Sequence, residues 1–171
     1  IRDTSVTGVQ TCALPISGVG AALAEQLAGM GARVVVNYSR SADAADAVVS
    51  RITSAGGQAL AVQADVSEEA DCKRLVAATI EQFGQLDVLV NNAGTTTFVP
   101  HDQLEALTEE IWLRTLRVNL IGAFMMSREA APHIGAAGGG EIIMTSSIAS
   151  MTANGSSIAY CASKAGMNSL T

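Results

Sequence analysis

Tyr160 and Lys164 stand one helical turn apart in Tyr160-Cys161-Ala162-Ser163-Lys164, and Ser147 closes an apolar run thirteen residues before the tyrosine. Side chains at i and i+4 share a helix face, so the phenol and the ammonium can meet beside one ligand. A free phenol ionises near ~10 and is a poor base at neutral pH, and a neighbouring cation favours the phenolate. With a second hydroxyl from Ser147, the set can hold a carbonyl oxygen and exchange a proton with it. Tyr-x-x-x-Lys also describes many ordinary surface pairs, so its weight depends on the elements that carry it.

Those elements alternate. Val19, Leu23, Leu27 and Met30 recur at helical spacing, and Gly31 stops that helix. Arg33 to Asn37 reads as a buried strand, Ala42 to Ala55 as a helix, and Ala59 to Val62 as the next strand. Ser67 is placed to cap a helix with Glu68 and Glu69 in its first turn and Leu75, Val76, Ile80 and Phe83 on its buried face. Leu86 to Val90 is a strand that stops at Asn91-Asn92-Ala93-Gly94. A long helix is expected from about Thr108 to Ala131, then a strand ending at Ser147 and a last helix holding Tyr160 and Lys164. Strands alternating with helices of this length predict an α/β fold, a Rossmann-like doubly wound parallel sheet with helices on both faces. Ligands of such sheets bind beyond the strand carboxyl ends, where Asn37 to Arg40, Asn91 to Gly94 and Ser146-Ser147 would lie.

Several segments near those ends have two readings. Ser17-Gly18-Val19-Gly20 opens the first helix, either as a plain glycine-rich start or as the place where a pyrophosphate meets free N–H groups. Asn91 to Gly94 is either an Asn-Gly-type turn or the lining for a ring and a sugar. Asp65 is either a helix-entry acid or the acceptor for an adenine amino group. Asn119, amid apolar neighbours on the long helix, is a satisfied core amide or a water anchor at a local bend. Trp112, Met125 and Met126 read as packing residues, Cys161 as a small buried hydrophobe, and His133 as a dipole partner at a helix end.

Composition narrows the function classes. The chain has 171 residues, 49% of them hydrophobic, which suits one globular domain. Its net charge of −6 argues against nucleic acid as a partner. No apolar run has the ~18 residues of a membrane span. Three cysteines without a pairing or metal-ligand pattern suit a reducing cytoplasm. Neither His101 nor His133 has a partner at ligand spacing, so no metal site is expected.

Residues 1–16 stand apart. Val6 to Ile16 reads V-T-G-V-Q-T-C-A-L-P-I, which matches a translated sequencing-library adapter in one frame. The segment also puts Gln10 and Thr11 where a buried strand would carry Val, Ile or Leu. It is therefore set aside as not native, with residues 17–171 forming the partial dinucleotide-binding domain. A makeshift strand near Val9 to Ala13 is expected to fill the first-strand slot, without a well-packed role.

Together, Val35 to Ser41, the Asn-Asn-Ala-Gly run and Ala159 to Gly166 resemble the short-chain dehydrogenase/reductase family, especially its β-ketoacyl-reductase-like and glucose-dehydrogenase-like members. The resemblance covers residues 17–171. It implies an oxidoreductase that moves a hydride between a nicotinamide cofactor and a carbonyl or secondary alcohol. It implies a role for four catalytic residues. Tyr160 would be the general acid/base, Lys164 would favour the phenolate and hold the nicotinamide ribose, Ser147 would orient the substrate oxygen, and Asn119 would hold a relay water. By the same resemblance Gly18, Val19 and Gly20 would meet the pyrophosphate, Asp65 and Val66 the adenine, and Asn92, Ala93 and Gly94 the adenosine ribose. The family's glycine motif maps onto Ala13 to Gly20, where Leu14 and Pro15 replace a glycine and a free amide. Homodimers or homotetramers are implied, as is further chain beyond Thr171, so the segment by itself is expected to be inactive. A non-catalytic nucleotide-binding relative is the competing class, against which stand the four retained catalytic residues.

Cofactor choice rests on the end of the second strand. An acid there would accept from a ribose 2′-OH, whereas Arg suits a 2′-phosphate. Ser39 and Arg40 stand there with no acid before Asp43, so NADP is expected, with NAD as the alternative.

Overall fold

The computed structural model describes the backbone of residues 9–12 and all of residues 18–153 and 156–171. Five parallel strands form one sheet: β1 (Val9–Cys12), β2 (Arg33–Tyr38), β3 (Gln58–Gln63), β4 (Val88–Asn91) and β5 (Glu141–Met144), in the order β3-β2-β1-β4-β5. The order reverses at β1, which puts the topological switch point between β1 and β4.

Alternation along β2 and β4 divides the core into two layers. Val35 and Leu89 pack on one face against α3 (Glu69–Phe83) and α5 (Ala123–Ala136). Val34, Val36 and Val90 pack on the other against α1 (Val19–Gly29) and α2 (Ala42–Ser54). Successive strand residues point to opposite faces, and a sheet covered on both sides buries both sets.

The helix α1 departs from its expected stripe. Its buried residues are Gly20, Ala21, Ala24 and Ala28, while Val19 and Met30 are exposed. Small side chains let α1 lie close to the sheet, with Leu23 and Leu27 packing partly buried at the margin of the same layer. The strand in the first slot is β1, which pairs with β2 on one side and β4 on the other. Gln10 stands in register with Val35 and Leu89, and Thr11 with Val36 and Val90. Ala13 and the Leu14-Pro15 pair lie outside the described residues.

Three boundaries move. Ser67 does not cap α3; it gives its hydroxyl proton to Asp65, and Glu68 holds the N-cap position. Strand β5 ends at Met144, which leaves Thr145 to Ser147 as a loop at the carboxyl end. The long helix is three pieces: α4 (Glu109–Leu116), a π turn (Arg117–Gly122) and α5, which continues through Pro132 to Ala136. A π turn widens the backbone and is rare outside functional sites. Here it contains Asn119, at the bend that its polarity suggested.

Gly122 ends that turn where it crosses the end of β3. A Cβ there would sit 2.8 Å from the Val66 carbonyl oxygen and 3.2 Å from a Val66 methyl. Gly122→Ala gains at most ~1 kcal/mol in helix propensity, whereas overpacking against backbone costs ~1–3 kcal/mol. The expected result is a lower denaturation midpoint by urea titration; a midpoint at or above that of the parent would show that the turn shifts freely.

Candidate active site

Helix α7 (Ile158–Asn168) carries the phenol and the ammonium. Its N-cap is Ser157, whose hydroxyl accepts from the Tyr160 N–H, fixing where the first turn begins. Tyr160 is half-buried and its phenol oxygen makes no hydrogen bond among the described residues. Lys164 Nζ lies 5.8 Å from the centre of the Tyr160 ring. The lysine is 3% exposed and has no carboxylate partner among the described residues; it donates instead to the Thr145 carbonyl at 2.6 Å. Burial pushes its pKa down from the ordinary 10.5.

That bond also ties α7 to the loop after β5. Ser146 Oγ donates to Asn168 Oδ1 at 2.5 Å on the same helix. Ser147 follows in the loop, and its hydroxyl oxygen accepts the Ala149 N–H at 3.2 Å. An oxygen engaged as acceptor keeps its own proton free to donate outward. The short helix α6 (Ala149–Thr152) then returns the chain toward α7.

Asn119 joins this unit from the other side. It is completely buried and spends its whole amide on protein. Its Nδ2 donates to the Thr95 carbonyl and to Ser163 Oγ, both at 2.9 Å, and its Oδ1 accepts the Thr95 N–H at 2.7 Å. Ser163 in turn donates to the Tyr160 carbonyl at 2.7 Å. Both Asn119 N–H donors and one lone pair of its oxygen are thus in use on protein. Gly94 sits beside both: a Cβ there would be 3.6 Å from Asn119 Oδ1 and 3.8 Å from Lys164 Nζ. The glycine keeps this approach open.

A cleft of about 430 Å³ runs from Gly94 and Thr95 to the ends of β2 and β3. Ser39, Arg40 and Asp65 line it, together with Ser41, Ser67, Arg114 and Val118. Asp65 Oδ1 accepts from both the backbone N–H and the hydroxyl of Ser67, leaving the other oxygen open. The side chains of Val66 and Ala93 belong to the core layer under α3. Only their main chain can face a ligand. Asn92 is half-buried just before Ala93, its N–H turned back to the Val90 carbonyl.

At the start of α1, Gly18 has φ 77° and ψ −135°, a conformation only glycine adopts readily. Val19, Gly20 and Ala21 follow with the unpaired N–H groups of a helix start. The residues thus offer anion donors at α1, a cleft with cations and an acid at the β2 and β3 ends, and a glycine-lined passage to Lys164. That set fits a dinucleotide laid along the carboxyl ends.

The family model for short chain dehydrogenase matches residues 11–171. The chain belongs to the short-chain dehydrogenase family. It is 39% identical over 154 residues to a 3-oxoacyl-[acyl-carrier-protein] reductase of Synechocystis, covering 90% of this chain and 61% of that protein. It is 44% identical over 130 residues to versicolorin reductase 1 of Aspergillus parasiticus, covering 76% of this chain and 48% of that protein. A short-chain dehydrogenase of Burkholderia cenocepacia in complex with NADP superposes with a TM-score of 0.87 at 34% identity, over 98% of this chain and 66% of that one. A short-chain dehydrogenase/reductase of Serratia marcescens gives 0.84 at 37%, with the same coverage. Members of this family bind NAD(P).

Three participants escaped the sequence reading. Asn37, buried at the end of β2, donates to the Ala64 carbonyl at 2.9 Å and stitches β2 to the chain leaving β3. Thr95 and Ser163 are the partners of Asn119. The only available signal was their adjacency to Gly94 and Lys164.

Burial of Lys164 makes a pH prediction. Its folded-state pKa lies below the ordinary value, so the unfolded chain holds that proton more tightly. The penalty is full below the folded value and fades as pH rises toward 10.5. Lys164→Met should therefore be at least as stable as the parent at neutral pH, with its advantage shrinking as pH approaches 10.5. Denaturant titrations at several pH values measure this; an advantage that grows with pH would contradict it.

Proposed function

We propose that the whole protein is an NADP-dependent reductase of a small-molecule carbonyl compound, working in reverse as a secondary-alcohol dehydrogenase. The observation that supports this reading is an uncommitted Tyr160 phenol near a buried Lys164, which lies beside Gly94 and is bonded to the loop that carries Ser147. The chain spans 61% of the reductase from Synechocystis, so the activity is assigned to the whole protein and not to this segment.

Ser147 and Tyr160 would donate hydrogen bonds to one substrate oxygen. As the carbonyl carbon is reduced, charge builds on that oxygen and the Tyr160 proton passes to it. The buried ammonium of Lys164 favours the resulting phenolate at close range, where water screens little. Bound nicotinamide supplies the hydride; the protein orients and shields it. Lys164 and Asn92 to Gly94 would hold the nicotinamide-side and adenosine riboses, the α1 start with Gly18, Val19 and Gly20 the pyrophosphate, and Asp65 and Val66 the adenine. Arg40 and Ser39, with no acid beside them, favour NADP over NAD.

Two further readings belong here. Exposed Leu113, Ile121 and Phe124 on the outer side of α4, the π turn and α5 support a homodimer or homotetramer. Residues 1–16 are read as a replacement for the native first strand, supported by Gln10 and Thr11 standing in the centre of the sheet.

Tyr160→Phe in the whole protein is the direct test. Turnover should fall by at least ~100-fold, the range for a lost general acid, while NADP affinity measured by calorimetry stays within a few-fold. Turnover close to that of the parent would remove Tyr160 from the reaction.

A further inference from the structure

The cleft at the β2 and β3 ends holds a cation that no motif pointed to. Arg114, on α4, lines it together with Arg40, which enters from the loop after β2. Most other arginines are committed elsewhere. Arg51 pairs with Glu25, Arg74 with Asp71, and Arg128 with Glu69 and Glu129. Arg117 donates to the Ser67 carbonyl, and Arg33 lies over the Phe83 ring. Arg40 and Arg114 have no ion pair or hydrogen bond from their guanidinium groups among the described residues, and both are exposed. In a chain of net charge −6, the two free guanidiniums open onto one cavity.

Facing them is a single acid, Asp65, already half spent on Ser67. The cleft is therefore net positive and rich in donors, with Ser39, Ser41 and Ser67 hydroxyls around it. A neutral ribose 2′-OH would leave both cations unmatched. A phosphate monoester, carrying close to two negative charges, matches two planar forks that reach it from different elements. The pyrophosphate belongs at the α1 start, so the phosphate that this cleft fits is the one on the 2′ oxygen.

We propose that Arg114 is the second arm of a 2′-phosphate clamp, closing from α4 onto the phosphate that Arg40 holds from β2. Selection of NADP then rests on two elements that come together only in the folded protein, and Arg40 alone gives part of it. This rests on the reading of the site as a dinucleotide site. Val118, in the π turn that follows α4, lines the same cleft as its apolar wall.

The test is calorimetry on the whole protein with adenosine 2′,5′-bisphosphate and its 3′,5′ isomer, which carry the same charge. The parent should prefer the 2′,5′ isomer. Arg114→Gln should weaken that isomer about tenfold, the worth of one charge-assisted hydrogen bond, while NAD binding changes less than about twofold. Arg51→Gln, an equal loss of charge at a remote ion pair, should change neither. If the parent prefers the 2′,5′ isomer and Arg114→Gln binds it as tightly, the clamp is overturned and the cofactor reading stands. Equal weakening of NAD and the bisphosphate would make Arg114 a stacking surface for adenine and also overturn the clamp. A parent with no preference between isomers would overturn the NADP reading together with the clamp.

Discussion

The active-site geometry depends on one buried amide. Asn119 uses both donors and its acceptor on Thr95 and Ser163, and Ser163 continues the chain of bonds to the Tyr160 carbonyl. Thr95 follows Gly94 in the lining of the cleft, and Tyr160 stands on α7. The two sides are thereby held at one spacing. A buried amide fully satisfied on three counts contributes stability, while removing it would leave the Thr95 N–H and carbonyl unpaired at ~1–3 kcal/mol each. That asymmetry explains a polar residue in the middle of an otherwise apolar helix. The π turn is the backbone's accommodation, bringing Asn119 inward where a regular α-helix would aim it elsewhere.

Lys164 shows the opposite balance. It is buried without a carboxylate, and only the Thr145 carbonyl offsets the desolvation of its charge. A fold selected for stability alone would place an apolar side chain there. What that burial leaves is a positive charge held 5.8 Å from the centre of the Tyr160 ring. The same carbonyl bond fixes the Thr145–Ser147 loop against α7, so the buried ammonium also holds the loop that carries Ser147.

Much of this was legible in the residues. The continuous Val34-Val35-Val36 run, the alternation of such strands with helices, and the stop at Asn91 to Gly94 announced a parallel sheet and its carboxyl end. The Tyr160–Lys164 pair and the bend at Asn119 could be read from spacing and from a polar residue in apolar company. What could not be read depends on approach between distant segments. The alanine stripe of α1 follows from how closely that helix meets the sheet, which no periodicity count reveals. Ser67 looked like a cap but found a stronger acceptor in Asp65. Arg114 lies far from Arg40 in sequence, and only the packing of α4 across the sheet end brings both to one cleft.

The claim that Asn119 binds the Gly94–Thr95 segment and α7 into one unit is tested most directly by residue-resolved hydrogen exchange on Asn119→Ala. The account predicts faster exchange together at the Thr95 amide and at the amides of α7 from Tyr160 onward, with the β2–β3 ladder unchanged. Faster exchange at Thr95 with α7 fully protected would contradict it, because the two sides would then be held independently.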